Sequence, residues 1–277
     1  MNREVVVVIG AGGIGQAIAR RQGPSKSVLL ADYNDNTLKS AAAVLQGAGY
    51  NATTQHVDVS SRESVSALAQ AAAQLGSVVQ VVHTAGVSPA QVPPAAVLAI
   101  DRAGTAIVLE EFGRVIAPGG AGIVISSMAG YMQPPSDPTH EDALAHTPAD
   151  ELLGLPFLSA EAVPTSAAAY ALAKRANHLR VQAASVHWGD RGARVNSISP
   201  GIILTPLAQD EMNSEGGPTY RAMIETSASG RVGTADEVAS AAAFLLGPES
   251  TFITGSDLLM DGGVIAALRS GRLQLRR

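Results

Sequence analysis

No cysteine occurs anywhere in the sequence, which removes disulfides, thiolate metal sites and thiol nucleophiles together. Long apolar runs are missing as well. Nothing approaches the ~20 residues of a membrane span, and the start, Met1 to Ile9, has too short an apolar stretch for a secretory signal. Charge of one sign is scarce: the formal net charge is −5, with the two signs interspersed, so nothing electrostatic calls for nucleic acid as a partner. The expectation is a cytoplasmic protein that engages neither nucleic acid nor membrane. What is present is apolar, 46% hydrophobic against 16% charged residues over 277 positions. One large domain of that size buries roughly three quarters of its unfolded surface.

Short apolar runs alternate with helical patterns. Glu4 to Ile9, Ser27 to Ala31, Thr53 to Val57 and Val78 to His83 read as strands; Ile14 to Gln22, Asn36 to Ala48 and Ser61 to Leu75 read as helices between them. Further on come a helix over Val97 to Ala117 ended by Pro118-Gly-Gly, a strand at Gly122 to Ser126, a helix over Ala167 to Trp188 and a strand at Arg194 to Ser199. A helix at Asp236 to Leu246 and a strand at Asp257 to Met260 complete the pattern. Continuous Val/Ile/Leu runs imply strands covered on both faces. Strand and helix in alternation give right-handed crossovers, hence an α/β fold with a doubly wound parallel sheet.

In such a sheet the turn Gly10-Ala-Gly12-Gly13-Ile14-Gly15 stands where a dinucleotide pyrophosphate meets a helix N-terminus. A glycine-rich turn also serves close helix-strand packing. Here a strand precedes it, a helix follows, and Asp32 ends the second strand. A carboxylate there accepts from both adenosine ribose hydroxyls and repels a 2′-phosphate; as a structural residue it would serve a turn or a helix N-cap. Asp58 and Val59 follow the third strand, placed either to reach the adenine or, for Asp58, to cap the next helix.

Tyr170 and Lys174 are four residues apart and share one helix face. A fixed ammonium favours the phenolate, as does an oxidised nicotinamide, which makes Tyr170 an acid/base near neutral pH. The pair alone also fits a solvated helix surface. Its company gives it meaning: the Gly turn, Ser126-Ser127 after a strand, and Asn196 to Gly201 beyond the helix.

With Thr84-Ala-Gly86, Ser126-Ser127-Met-Ala-Gly130, Tyr170-x-x-x-Lys174, Asn196 to Gly201 with Thr205, and Gly255 with Asp261-Gly-Gly263, the chain resembles a short-chain dehydrogenase/reductase over nearly its whole length. The resemblance implies a single Rossmann domain of about seven parallel strands with helices on both faces. It places the catalytic Ser, Tyr and Lys on Ser127, Tyr170 and Lys174. Ser127 would bind the substrate oxygen, Tyr170 would exchange its proton, and Lys174 would hold the nicotinamide ribose. It places cofactor contacts on Ala85, Gly86, Pro200, Gly201, Ile203 and Thr205 beside the Gly turn, and it implies a homodimer or homotetramer.

Three departures stand out. Ile9 replaces the usual Thr, and the Gly turn is one residue shorter. Asp101 stands where the family has a catalytic Asn of a proton relay; a structural Asp paired with Arg102 or another cation is the other reading. Finally, Met132 to Thr165 is extra chain between Ser127 and Tyr170. It holds six of the fifteen prolines, so an irregular arm with one short helix is expected. With the segment after Gly86 and the tail from Asp261, this arm is similar to that of the bacterial 3α-hydroxysteroid dehydrogenase/carbonyl reductase subgroup. Its Leu152, Leu153, Leu155, Phe157 and Leu158 are expected to cap a hydrophobic substrate and the arm to alter a subunit interface; a disordered surface loop is the alternative. His140, Glu141 and His146 match no metal-ligand spacing, and Arg269, Arg272, Arg276 and Arg277 read as a solvated tail or an intersubunit contact. The function expected is oxidoreduction between a secondary alcohol and a hydrophobic ketone with NAD and no metal. The alternative is a catalytically silent dinucleotide-binding sensor or scaffold.

Overall fold

The computed structural model describes residues 3–133, 137–205, 208–209, 212–213 and 216–274. Residues 134–136 of the arm and Arg276 and Arg277 of the tail lie outside the described residues. Seven parallel strands form one sheet: β1 Glu4–Ile9, β2 Ser27–Asp32, β3 Asn51–His56, β4 Ser77–His83, β5 Ile116–Ile125, β6 Arg194–Pro200 and β7 Asp257–Met260. Their order is β3-β2-β1-β4-β5-β6-β7, so the direction of winding reverses between β1 and β4. Ligands of doubly wound sheets bind outside the strand C-termini at that reversal.

Both faces are covered. Val5, Val7 and Ile9 of β1 pack into one core with α3 Arg62–Leu75, α5 Thr105–Gly113 and α7 Ser166–Asp190. Val6 and Val8 enter another with α1 Gly13–Gln22, α2 Asp35–Gly47 and Ala235–Leu246, here α9. Each fully buried Val contributes about 1.5–3 kcal/mol, which is why the runs are continuous rather than alternating. The helix starts follow the sequence: Asn34 caps α2, Ser61 caps α3 and Thr165 caps α7, each accepting from a first-turn N–H, and Thr234 and Glu237 form a capping box on α9.

The stretch expected as one helix over Val97 to Ala117 is different. A short α4, Pro94–Val97, runs into a π-helical turn Leu98–Gly104 and then α5, which stops at Gly113. Trp188 packs on that end: its Nε1 donates to the Leu109 carbonyl, and a Cβ on Gly113 would sit 2.9 Å from it. Strand β5 starts at Ile116 and runs through Pro118-Gly119-Gly120, with a register shift opposite and φ +79° at Gly119. The bulge accommodates the missing Pro N–H. Among the described residues, two further helices had no expectation attached, α8 Gly217–Thr226 and α10 Val264–Arg269.

The arm has the expected irregular course with one short helix, but not the expected place over the cleft. It contains α6 Pro138–His146 and two 3₁₀ turns, Leu152–Gly154 and Pro156–Leu158, and it packs as core. Leu144, Leu158 and Val163 join Val97, Leu98 and α7; Leu152 joins the cluster under β1 and α5. Arg102 and Arg180 donate to the carbonyls of Leu144, Ala145 and Thr147 at the end of α6, where the helix dipole is negative. Glu110 accepts from Arg62, Arg180 and the Ala149 N–H, and Arg62 also holds Glu111 and Asp150. Of the apolar residues expected to lid the cleft, Leu152 and Leu158 are buried and Leu155 and Phe157 partly buried against these clusters, while Leu153 stays 48% exposed. His140 stacks on Phe157 with centroids 4.1 Å apart, Glu141 pairs with Arg175, and His146 with Asp142.

Candidate active site

A cleft of about 360 Å³ opens at the C-terminal ends of the strands. Ser127, Tyr170 and Lys174 line it, together with Ile14, Gly86, Pro200, Gly201, Ile203 and Thr205. Ser127 leaves β5 and caps the 3₁₀ turn Met128–Tyr131, its Oγ accepting from the Ala129 N–H. Lys174 is only 5% exposed and its Nζ lies 5.0 Å from the centre of the Tyr170 ring. The neighbouring Ser126 donates to the Lys174 carbonyl at 2.9 Å, tying β5 to the helix that carries the phenol.

Asp101 stands behind Lys174, not in the cleft. It belongs to the π-helical turn, is fully buried, accepts from the Val87 N–H at 2.9 Å, and brings Oδ2 to 3.8 Å from Lys174 Nζ. Its cationic neighbour is thus Lys174; Arg102 points away to the arm. Burial raises the Asp101 pKa, against Lys174 and the Val87 bond, which lower it. Asn177, one turn beyond Lys174, donates to the Asp101 carbonyl at 2.9 Å. Its spacing from Tyr170 and Lys174 on one face was the signal that could have marked it. Gly86 is needed here, since a Cβ would meet Asp101 Oδ1 at 2.7 Å and Lys174 Nζ at 3.4 Å. His83 beneath is held neutral, its pKa lowered to about 3 by burial and by Lys174.

The Gly turn lies beside the cleft and reaches its lining through Ile14. Gly10 has φ +100° and its Cβ would meet Ala85 N and Thr84 Oγ1 at 2.5 Å; Ala85 and Thr84 donate to the Ile9 carbonyl. A Cβ on Gly15 would lie 1.9 Å from Gly10 O. These two glycines serve close packing. Gly12 and Gly13 do not: around Gly12 a Cβ would find nothing within 4 Å, and from Gly13 the nearest atom is Thr205 Cγ2 at 3.6 Å, across the cleft. No side chain caps the first turn of α1, so its N–H groups face this opening.

Asp32 Oδ2 accepts from Ala11 N at 2.7 Å and Oδ1 from Asn34 N at 2.9 Å, which ties the Gly turn to the end of β2 while Asn34 takes the capping role. Asp58 bonds the Ser60 N–H and hydroxyl, and Ser61 rather than Asp58 caps α3. Val59 is 5% exposed and packs beneath Gly104. Asp32, Asp58 and Val59 thus follow one edge away from the phenol and ammonium. A dinucleotide fits this set: a donor-lined open turn, a carboxylate at the end of the neighbouring strand, and a wall from Pro200 to Thr205. The far wall of the cleft is apolar, from Met128, Met132, Ile202, Tyr220 and Met223. Tyr220 and Met223 escaped sequence reading because α8 itself did.

A family described as enoyl-(acyl carrier protein) reductase matches residues 9–265. The chain is 45% identical over 269 residues to the short-chain dehydrogenase/reductase bsc3 of Alternaria brassicicola, spanning 97% of this chain and 98% of that one. It is 30% identical over 270 residues to 3beta-hydroxysteroid dehydrogenase 1 of Eggerthella lenta, spanning 95% and 93%. Among solved structures, a short-chain type dehydrogenase/reductase from Mycobacterium ulcerans superposes with a TM-score of 0.73 at 25% identity, over 95% of this chain and 90% of that one.

Proposed function

Because the chain belongs to the short-chain dehydrogenase/reductase family, we propose that it interconverts a secondary alcohol and a hydrophobic ketone with NAD(H), using Tyr170 as the acid/base. The observation that carries this reading is the convergence of Ser127, Tyr170 and buried Lys174 on one apolar-walled cleft beside the Gly turn. The cofactor supplies or accepts the hydride. Gly12, Gly13 and the start of α1 would hold its pyrophosphate, Asp32 its adenosine ribose, and Pro200, Gly201, Ile203 and Thr205 its nicotinamide end.

The remaining chemistry belongs to the chain. In reduction, Ser127 donates a hydrogen bond to the carbonyl oxygen and Tyr170 gives that oxygen its proton. In oxidation, Tyr170 takes the proton back, and the adjacent Lys174 ammonium favours the phenolate that does so. Asp101 orients Lys174 from behind. The carboxylate of Asp32, with neither an Arg nor a Lys in the Gly turn or at Tyr33-Asn34, supports NAD over NADP. Among the described residues no helix is long and apolar enough to cross a membrane. Self-association belongs to the same reading: edge strand β7 exposes Leu258, and Phe244 and fully exposed Phe252 are further large apolar side chains on the surface. Light scattering at two or four chain masses supports it, and a monomer refutes it.

The decisive variant is Tyr170→Phe. Phe keeps the ring and deletes the proton, so turnover should fall about 10²–10⁴-fold with NADH affinity unchanged. Near-normal turnover would take Tyr170 out of the mechanism. Absence of activity on every ketone tried, with NADH still bound, would favour the silent sensor. Titration with NADH and NADPH tests the Asp32 reading, which tighter NADPH binding would overturn.

A further inference from the structure

The chemistry described above leaves a second group of polar side chains, buried or partly buried, unused. Asp257 of β7 gathers hydroxyls from two directions. Ser197 and Ser199 of β6 donate to its Oδ1 at 2.5 and 3.0 Å, and Tyr131 donates to its Oδ2 at 2.7 Å. His178 of α7 closes the group, its Nε2 being 2.8 Å from Ser199 Oγ and 3.5 Å from Asp257 Oδ1. The Tyr131 ring packs on His178 with centroids 5.0 Å apart, and Arg269 of α10 stands 5.9 Å from that ring's centre.

A serine, a histidine and a carboxylate so placed suggest a nucleophile, but Ser199 is 0% exposed and no substrate reaches it. The group holds something instead. Tyr131 is the far end of the turn that begins at Ser127. Midway, Gly130 lies so close to α7 that a Cβ would sit 2.7 Å from His178 Cε1 and 2.9 Å from Arg175 N. At the near end, Ser126 is bonded to the Lys174 carbonyl. The turn is therefore fixed at its start and middle to the helix bearing Tyr170 and Lys174, and at its end to the last strand. Tyr170, Lys174 and His178 follow one another at four-residue steps on α7, so this group continues the reactive face by one turn. Met128 and Met132, on either side of Tyr131, are walls of the cleft. Burial, and then the bond to Asp257, push the Tyr131 phenol up, so its hydroxyl stays protonated and donating.

We propose that Tyr131 is a positioning residue for the reaction: its hydrogen bond to Asp257 holds the Ser127 turn against α7 and keeps the Ser127 hydroxyl in register with Tyr170. This rests on the reading of Ser127 as the group that binds the substrate oxygen. A reaction of this kind is sensitive to small displacements, since about 1 Å of misplacement can cost on the order of 10²-fold.

The test is a double-mutant cycle between Tyr131→Phe and Ser127→Ala, with kcat, KM and NADH affinity by fluorescence measured for each purified, folded variant. Phe keeps the ring packed on His178 and removes only the hydroxyl. Tyr131→Phe should lower kcat about ten- to a hundredfold with KM and NADH affinity changed less than about twofold. In the Ser127→Ala background the same change should add little, because the hydroxyl it positions is gone. Asp257→Asn, which weakens the acceptor without changing side-chain shape, should show the same kcat-selective, non-additive loss. If Ser127→Ala is fully active, the functional reading of Ser127 fails. If Ser127→Ala loses activity but Tyr131→Phe keeps wild-type kcat, or the two losses multiply, the positioning role is overturned.

Discussion

Lys174 has an aromatic ring on one side and a buried carboxylate on the other, and the two make opposing claims on its charge. Asp101 at 3.8 Å offsets part of the positive field that the ammonium projects onto Tyr170. Asp101→Asn keeps an acceptor for the Val87 N–H and deletes only the negative charge. Tyr170 should then ionise more easily, so the acid limb of the pH profile for alcohol oxidation should move to lower pH, with turnover kept within about tenfold of wild type. A shift to higher pH would show that Asp101 does not act through Lys174. Ser127, Tyr170 and Lys174 could be read from the sequence because helical spacing and strand ends fix where side chains point. Asp101 could be placed only by alignment, and its partner Lys174 is remote in sequence. Asn177 and His178 have that same helical spacing but touch the π-helical turn and β6, contacts that local periodicity does not register.

Among the elements, strands and capped helices followed their apolar patterns closely, and the failures have physical causes. The Pro118-Gly-Gly stretch reads as a helix stop, yet a bulge lets it enter a strand; α5 had ended earlier under Trp188. The arm has the irregular chain its prolines suggest, while its buried leucines had an unseen destination in the groove between α4, α5 and α7. Glu110 anchors that docking. Its side chain is 26% exposed and serves Arg62 and the nearly buried Arg180; nearby Arg102 is lowered to about 9 by burial and then by Arg180. Glu110→Gln should therefore cost about 2–4 kcal/mol in urea unfolding, a little under the ~3–5 of breaking a fully buried pair. Replacing residues 132–165 by a Gly-Ser linker removes Leu144, Leu152, Leu158 and Val163 from the core. At about 1.5–3 kcal/mol each, the loss rivals a domain's entire stability. The linker variant should bind a hydrophobic dye and show no cooperative melt, whereas a mere surface loop would leave the melt intact.

For the whole molecule, acid is the expected weakness. His83 has a folded pKa of about 3 against an ordinary 6.5, and burial lowers His178 in the same direction. A depressed pKa means that the unfolded chain binds the proton first, so this stability is fully present above about pH 6.5 and is lost as pH falls toward 3. Asp101, raised by burial, has the opposite sign and offsets part of the loss. Unfolding free energy should therefore be lower at pH 5 than at pH 7, with His83 contributing at most about 1.4 kcal/mol per pH unit. His83→Gln should flatten that slope, and an unchanged slope would assign the acid sensitivity elsewhere. The arm bears on how such a molecule changes over generations. Between Ile125 and Arg194 the chain leaves the sheet and returns, and residues 132–165 roughly double that excursion. Closing a loop twice as long adds only about 0.6 kcal/mol, less than one of its buried leucines contributes. An insertion at this point enters with little resistance, and once its leucines are core it cannot be shed one piece at a time, so the fold ratchets toward keeping it.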